Sequence, residues 1–208
     1  MAHATRTMTA DQALAHLVAG NKRFVAGTAR FPTVQKEVLA DLAKAQSPYA
    51  TVVGCSDSRV PPELVFDASF GELFIVRVAG NVMSPEVMGS IQYAAVHLQT
   101  PLFVVMGHSE CGAVAAALNT LHQGRRERAR IALLVERILP GLRGIDSTLP
   151  IKAKMRAAVE ANVRWSMQQV LDTPEARARQ AEGDLKLVGA VYELTTGRVR
   201  FLPDVRTA

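Results

Sequence analysis

Long apolar runs, secretory patterning and all but two cysteines are missing from this sequence. No apolar stretch approaches the ~18 residues that span a bilayer, and Met1 to Ala10 is polar, without the basic-then-apolar pattern of a leader. Cys55 and Cys111 are the only thiols in 208 residues, which excludes a small disulfide scaffold. The expectation is a soluble, cytoplasmic protein whose two thiols are ligands, catalysts or small buried residues rather than a disulfide. Aromatic residues are also scarce, at 5%.

The remaining composition is that of a packed domain. Hydrophobic residues make up 49% and charged residues 21%, close to globular averages, which excludes intrinsic disorder. A length of 208 fits one domain covering 1–208. The formal net charge of +5 is unevenly placed, because residues 120–165 hold 10 Lys and Arg against 4 Asp and Glu, leaving 14 against 15 elsewhere. Arg125 to Arg130 has no interleaved aromatics and no nucleic-acid motif. It reads as a solvated helix face, with neither nucleic acid nor membrane as a partner.

Hydrophobic periodicity divides the chain. Thr9 and Gln12 stand at capping-box spacing ahead of Leu14, Leu17, Val18 and Phe24, with a stop at Gly27. A second helical stretch, Val34 to Ala45, completes an N-terminal helical arm, 1–45. The period then changes. Tyr49 to Gly54, Leu73 to Ala79, Leu102 to Gly107 and Leu187 to Tyr192 are short apolar runs rich in Val and Ile, the pattern of strands covered on both faces. Ser84 to Leu98 and Cys111 to Leu121 are long enough for crossover helices. Arg125 to Asp172 is helical in pattern and interrupted by Pro140, Gly141, Gly144 and Pro150, and Leu185 to Leu202 reads as a hairpin turning at Thr196-Gly197. The fold class is therefore α/β, a central, mostly parallel β-sheet flanked by helices.

Two segments carry chemistry. Gly54-Cys55-Ser56-Asp57-Ser58-Arg59 follows the first strand, and in an extended chain positions 55, 57 and 59 project to one side. The plain alternative is a small buried Cys55 beside a surface ion pair. The second segment, Gly107-His108-Ser109-Glu110-Cys111-Gly112, ends the third strand, and three-residue spacing in a first helical turn puts His108 and Cys111 on one face. Both segments fall at carboxyl ends of parallel strands, where open α/β sheets bind ligands. Two thiolates and one imidazole form a zinc-type donor set, and three protein ligands leave a fourth position open. Asp57 competes for that position unless Arg59 holds its carboxylate in a bidentate pair.

Cys-Ser-Asp-Ser-Arg followed, 53 residues after its cysteine, by His-x-x-Cys-Gly resembles the paired signature of the β-class carbonic anhydrases, plant-like subgroup. The likeness extends through Gln46-Ser47-Pro48, Gly71 to Phe74, Arg77 to Asn81, Gly89 to Tyr93 and Val188 to Tyr192. It implies one Zn2+ per chain on Cys55, His108 and Cys111, an Asp57/Arg59 dyad beside the metal, and reversible hydration of carbon dioxide by attack of zinc-bound hydroxide. It further implies Gln46 and the Gly112 N–H as substrate or product donors and Phe74, Ala79 and Tyr93 as pocket walls. Ala79 stands where valine is frequent, and Val52 stands where another subgroup has the tryptophan of an inhibitory bicarbonate site, so an open, non-switching centre is expected. Members assemble as dimers or larger with the pocket at the subunit interface, so Gln46, Phe74 and Tyr93 are expected to serve a neighbour's zinc. Two alternatives are hydrolysis of carbonyl sulfide or carbon disulfide on the same site and a non-catalytic zinc-binding module.

Overall fold

The computed structural model describes residues 8–30, 39, 42–183 and 185–203. Among these described residues five strands form one sheet in the order β2-β1-β3-β4-β5, where β1 is Ala50–Gly54, β2 Leu73–Arg77, β3 Leu102–His108, β4 Lys186–Tyr192 and β5 Val199–Phe201. All pairings are parallel except β4 with β5. The parallel pairs need crossovers. Pro62–Val65 (α2) connects β1 to β2, and Pro85–Val96 (α3) connects β2 to β3. Four helices, Gly112–Gln123 (α4), Ala129–Leu142 (α5), Ile151–Leu171 (α6) and Pro174–Ala181 (α7), connect β3 to β4. After β1 the chain moves to one side for β2 and then to the other for β3. That order makes the gap between the carboxyl ends of β1 and β3 the topological switch point, the expected ligand crevice of an open α/β sheet.

The central strands match their sequence pattern. Every residue of β1 and β3 is buried, and within this interior the hydroxyls of Thr51 and Thr100 satisfy each other at 2.8 Å. The long helix α6 lies directly on β3, because a Cβ on Gly107 would come within 2.7 Å of Val163 Cγ2. The apolar face of α6, Met155, Val159, Val163 and Met167, is buried there. β2 differs from the pattern. Leu73, Phe74, Ile75 and Val76 are only half-buried, since β2 is the sheet edge, paired on one side alone. Pro140 also does not interrupt its helix. It sits within the last turn of α5, where its missing N–H removes one hydrogen bond near an end that frays anyway. The break comes after Leu142, and α6 starts from Pro150 as its N-cap.

The first helix, α1 (Ala10–Val25), begins as its cap predicts. The Thr9 side chain accepts from the Gln12 N–H at 3.2 Å, and the Thr9 N–H donates to Gln12 Oε1 at 2.8 Å. α1 docks on its own chain. Buried Asn21 donates to the carbonyls of Val65 and Gly197 at 3.0 and 2.8 Å and accepts from the Val199 N–H at 2.8 Å. The second predicted helix, 34–45, lies mostly outside the described residues. The β4–β5 hairpin turns at Thr196 and Gly197 as expected, Gly197 taking φ +69°.

Asp67 fastens this corner. Its side chain is 1% exposed and accepts from the Arg23 Nε–H, the Arg30 backbone N–H at 2.8 Å and the Arg30 Nε–H at 3.2 Å. Burial opposes its charge, but these donors outweigh burial and hold the carboxyl below its usual pKa. The residue adopts φ +47°, which asparagine tolerates as well as aspartate. Asp67→Asn should therefore keep the backbone and lose charge-assisted hydrogen bonds, at a cost of about 2 kcal/mol in urea unfolding near pH 7. A depressed folded pKa stabilises above the ordinary aspartate range and stops doing so as pH falls through the folded value, so the difference should shrink in strong acid. An equal midpoint for both proteins at pH 7 would contradict this role.

Candidate metal centre

Three buried donors meet at the switch point. Cys55 directly follows β1, His108 is the last residue of β3, and Cys111 is the N-cap of α4. Their ligand atoms all lie within 4.8 Å of one another. Neighbouring ligands around one tetrahedral zinc-type ion stand ~3.5 Å apart for bonds of ~2.0 to 2.3 Å, so small rotations complete such a shell. The imidazole is already poised. Its Nδ1 is 2.9 Å from the Ser109 carbonyl, which can only accept, so Nδ1 carries the proton and Nε2 presents a lone pair. That Nε2 is buried without a hydrogen-bond partner. An orphaned nitrogen beside two sulfurs is the donor chemistry of a thiophilic cation, and Cys55, His108 and Cys111 fit one.

The route by which these groups converge differs from both sequence expectations. Residues 55–59 do not continue extended. A turn from Asp57 to Val60 carries the hydrogen bond from Val60 N–H to the Asp57 carbonyl at 3.1 Å, and Arg59 folds back onto Asp57. His108 and Cys111 do not share a helical turn either, since one ends a strand and the other caps a helix. Glu110, at φ +55° between them, reverses the chain.

The thiols behave as a pair. The neighbouring Cys111 thiol holds the Cys55 thiol below its usual range despite burial, with further help from the Gly80 N–H. The same pairing and burial push Cys111 up. Cys55 is thus the sulfur that ionises more readily, and Cys111 would give up its proton only to a bound cation.

Asp57 stands at the rim. Its Oδ2 is 3.9 Å from His108 Nε2. Arg59 donates from Nε to Oδ1 at 2.9 Å, from Nη2 to Oδ2 at 2.7 Å and from its backbone N–H to Oδ1 at 3.0 Å. These bonds to the Arg59 side chain hold the Asp57 carboxyl well below the usual carboxylate range. The bidentate arrangement turns both oxygens towards the guanidinium and leaves the carboxylate an ionised acceptor facing the cluster.

Sequence reasoning missed the supports. Arg77 donates to the backbone carbonyls of Cys55 at 2.9 Å and Asp57 at 2.6 Å, clamping the loop that carries both. The Gly80 N–H donates to Cys55 Sγ at 3.3 Å. Gly80 needs φ +68°, and a Cβ there would come within 2.9 Å of Ala113 and closer still to Ile138. Asn162 and Ser166 brace this turn from α6. A sequence signal existed for them, because two polar residues four apart interrupt an otherwise apolar helix face.

Among the pocket residues, Gly112 begins α4 next to Cys111, and its N–H is one of the first-turn amides without a helical acceptor. Ala79 precedes Gly80. Phe74 and Tyr93 pair with each other, ring centroids 6.1 Å apart, but Phe74 is in register with Thr51, four residues and ~13 Å of strand before Cys55. Gln46 is exposed ahead of β1, at the opposite end of the strand from Cys55. Within one chain these three are not brought to the metal centre.

A family model described as carbonic anhydrase matches residues 50–199. Carbonic anhydrase 2 of Mycobacterium tuberculosis is 39% identical over 181 residues, covering 86% of each chain. A carbonic anhydrase of Mycolicibacterium smegmatis is 41% identical over 181 residues, covering 86% of this chain and 87% of the relative. Among solved structures, a Coccomyxa β-carbonic anhydrase in complex with acetazolamide superposes with a TM-score of 0.72 at 27% identity, covering 91% of this chain and 86% of that one. A β-carbonic anhydrase of Aspergillus fumigatus gives 0.70 at 26% identity, with 91% and 90% covered. Elemental analysis of the purified chain should find one thiophilic divalent ion per chain, and His108→Ala should retain less than about a tenth of it. Full retention in that variant would show that the ion sits elsewhere.

Proposed function

We propose, from the fact that the chain belongs to the β-carbonic anhydrase family, that it hydrates carbon dioxide reversibly to bicarbonate and a proton, with one zinc ion on Cys55, His108 and Cys111. The observation that carries this reading is the buried, unpartnered Nε2 of His108 among two sulfurs, with an ionised Asp57 oxygen 3.9 Å away. Carbon dioxide is small and apolar, and neutral water attacks it slowly. Zinc, when bound, supplies a nucleophile near neutral pH by lowering the pKa of water.

The chain's own groups do the rest. Asp57 accepts a hydrogen bond from the attacking nucleophile and aims its lone pair at the carbon. Arg59 fixes that carboxylate and keeps it ionised. The Gly112 N–H, at the positive end of α4, and Gln46 of a neighbouring subunit stabilise the oxygen on which charge develops. With Cys55 and Cys111 as thiolate ligands, the charge of a bound zinc ion would be offset, so its water would ionise at somewhat higher pH than in a three-histidine site.

The chain acts in the cytoplasm as a single domain and as a homodimer or larger assembly. Half-buried β2 supports this, since its apolar residues, with exposed Phe70, Tyr93 and Val96, leave an uncovered patch. No described helix is long and apolar enough to cross a membrane.

Three outcomes test the proposal. Asp57→Asn should cut kcat at least about tenfold with zinc content unchanged, whereas joint loss of zinc and activity would make Asp57 a ligand. Because the Asp57 carboxyl stays ionised far into acid, the rise in rate towards mildly alkaline pH should belong to the nucleophile alone, and a profile flat from acid to alkaline pH would refute it. Chains carrying Cys55→Ser and chains carrying Gln46→Ala should each be poor enzymes alone. Reassembled together they should regain activity, because one mixed site then has both zinc and glutamine. No gain on mixing would place Gln46 outside the neighbour's site. Zinc uptake without any hydration would leave a zinc-binding module.

A further inference from the structure

The zinc reading leaves a physical problem, because two anionic sulfurs make the ion a weaker Lewis acid. The turn after β2 addresses it. Gly80, at φ +68°, directs its N–H to the Cys55 sulfur at 3.3 Å. A hydrogen bond to a thiolate withdraws electron density from the sulfur, so the sulfur donates less to the ion and the ion stays more electrophilic. A local bond from the Asn81 N–H to the Val78 carbonyl at 3.0 Å closes the turn, and two distant side chains brace it. Asn162 Nδ2 donates to the Gly80 carbonyl at 2.9 Å, and Ser166 Oγ donates to the Asn81 carbonyl at 3.0 Å, across 82 and 85 residues of sequence. Asn81 is itself left-handed, at φ +44°.

Asn162 and Ser166 lie four apart on α6, hence on one face, and each is 1% exposed. Asn162 makes its bond through one half of the amide only, since Oδ1 is buried without a partner. A buried, half-satisfied amide is costlier than an apolar residue of the same shape. Its one bond fixes the Gly80–Asn81 peptide, which adjoins, across the Gly80 Cα, the peptide whose N–H meets the sulfur.

We infer that Asn162 and Ser166 are positioning residues that aim the Gly80 N–H at Cys55 and so set how strongly this thiolate donates to the bound ion. The inference rests on the zinc reading, and the experiment separates the two. Wild type, Asn162→Leu and Ser166→Ala are loaded with cobalt(II), and the thiolate-to-cobalt charge-transfer band is recorded together with the pH–rate profile of the zinc forms. Both variants should take up one equivalent of cobalt. Their band should move to lower energy, because a more electron-rich sulfur is easier to oxidise. The pH–rate midpoint should rise, by about half a unit or more for Asn162→Leu and less for Ser166→Ala. If band and midpoint match wild type while only thermal stability falls, the pair is mere packing and the inference is overturned. A folded variant that no longer takes up cobalt overturns it too, since the pair would then build the site rather than tune it. Should Asn162→Leu fail to fold, Ser166→Ala decides by the same readouts. Absence of any thiolate–cobalt band in wild type would instead overturn the zinc reading.

Discussion

Two sulfurs and a bare imidazole nitrogen packed together out of water form a donor set that a cation would satisfy. One sulfur alone would be an ordinary buried small residue, and one histidine an ordinary core polar group. Within 4.8 Å of each other, with Nε2 of His108 lacking any partner, they form a cluster that leaves at least this buried lone pair uncompensated. The remaining architecture follows from assembling that donor set at a fixed place. The sheet order puts the carboxyl ends of β1 and β3 side by side at the switch point, so ligands far apart in sequence arrive at one spot without a long loop.

The same cluster sets the chemistry around it. On the proposed reading, thiolate ligands would anchor a zinc ion firmly but blunt its charge, so the groups nearby would have to restore reactivity without adding negative charge to the ion itself. Asp57 would be such an addition if it were free to bind. Three hydrogen bonds from Arg59 occupy it, and Arg77 fixes the backbone on which it stands. In the proposed mechanism the amide end of α4 and the N–H of Gly80 would act in the same sense, placing partial positive charge beside the developing oxyanion and beside sulfur. The basic excess between residues 120 and 165 has no part in this. Arg125, Arg126, Arg128 and Arg130 are exposed around the start of α5, apart from an uncharged substrate's site.

Much of this was legible before any coordinates. Cys55, His108 and Cys111 could be read because each lies at or within three residues of the end of an apolar strand, and strand ends in a parallel sheet converge. The capping box at Thr9 and Gln12 and the turn at Gly197 are local signals, and both hold. What escaped depended on contacts far apart in sequence. Asn162 bracing Gly80 joins residues 82 apart, which periodicity does not register. The extended expectation for 55–59 failed because the Asp57 side chain could capture the Arg59 amide and favour a turn. β2 reads as a strand covered on both faces, yet its residues are half-buried in one chain, since the composition of an edge strand anticipates a neighbour that sequence alone does not locate.

A crystal structure of the zinc-loaded protein near neutral pH tests the central claim most directly, through what completes the shell of Cys55, His108 and Cys111. The account predicts a solvent molecule in the fourth position, with Asp57 still paired to Arg59 and accepting from that solvent. An Asp57 carboxylate bound to the ion, with Arg59 released, would contradict it.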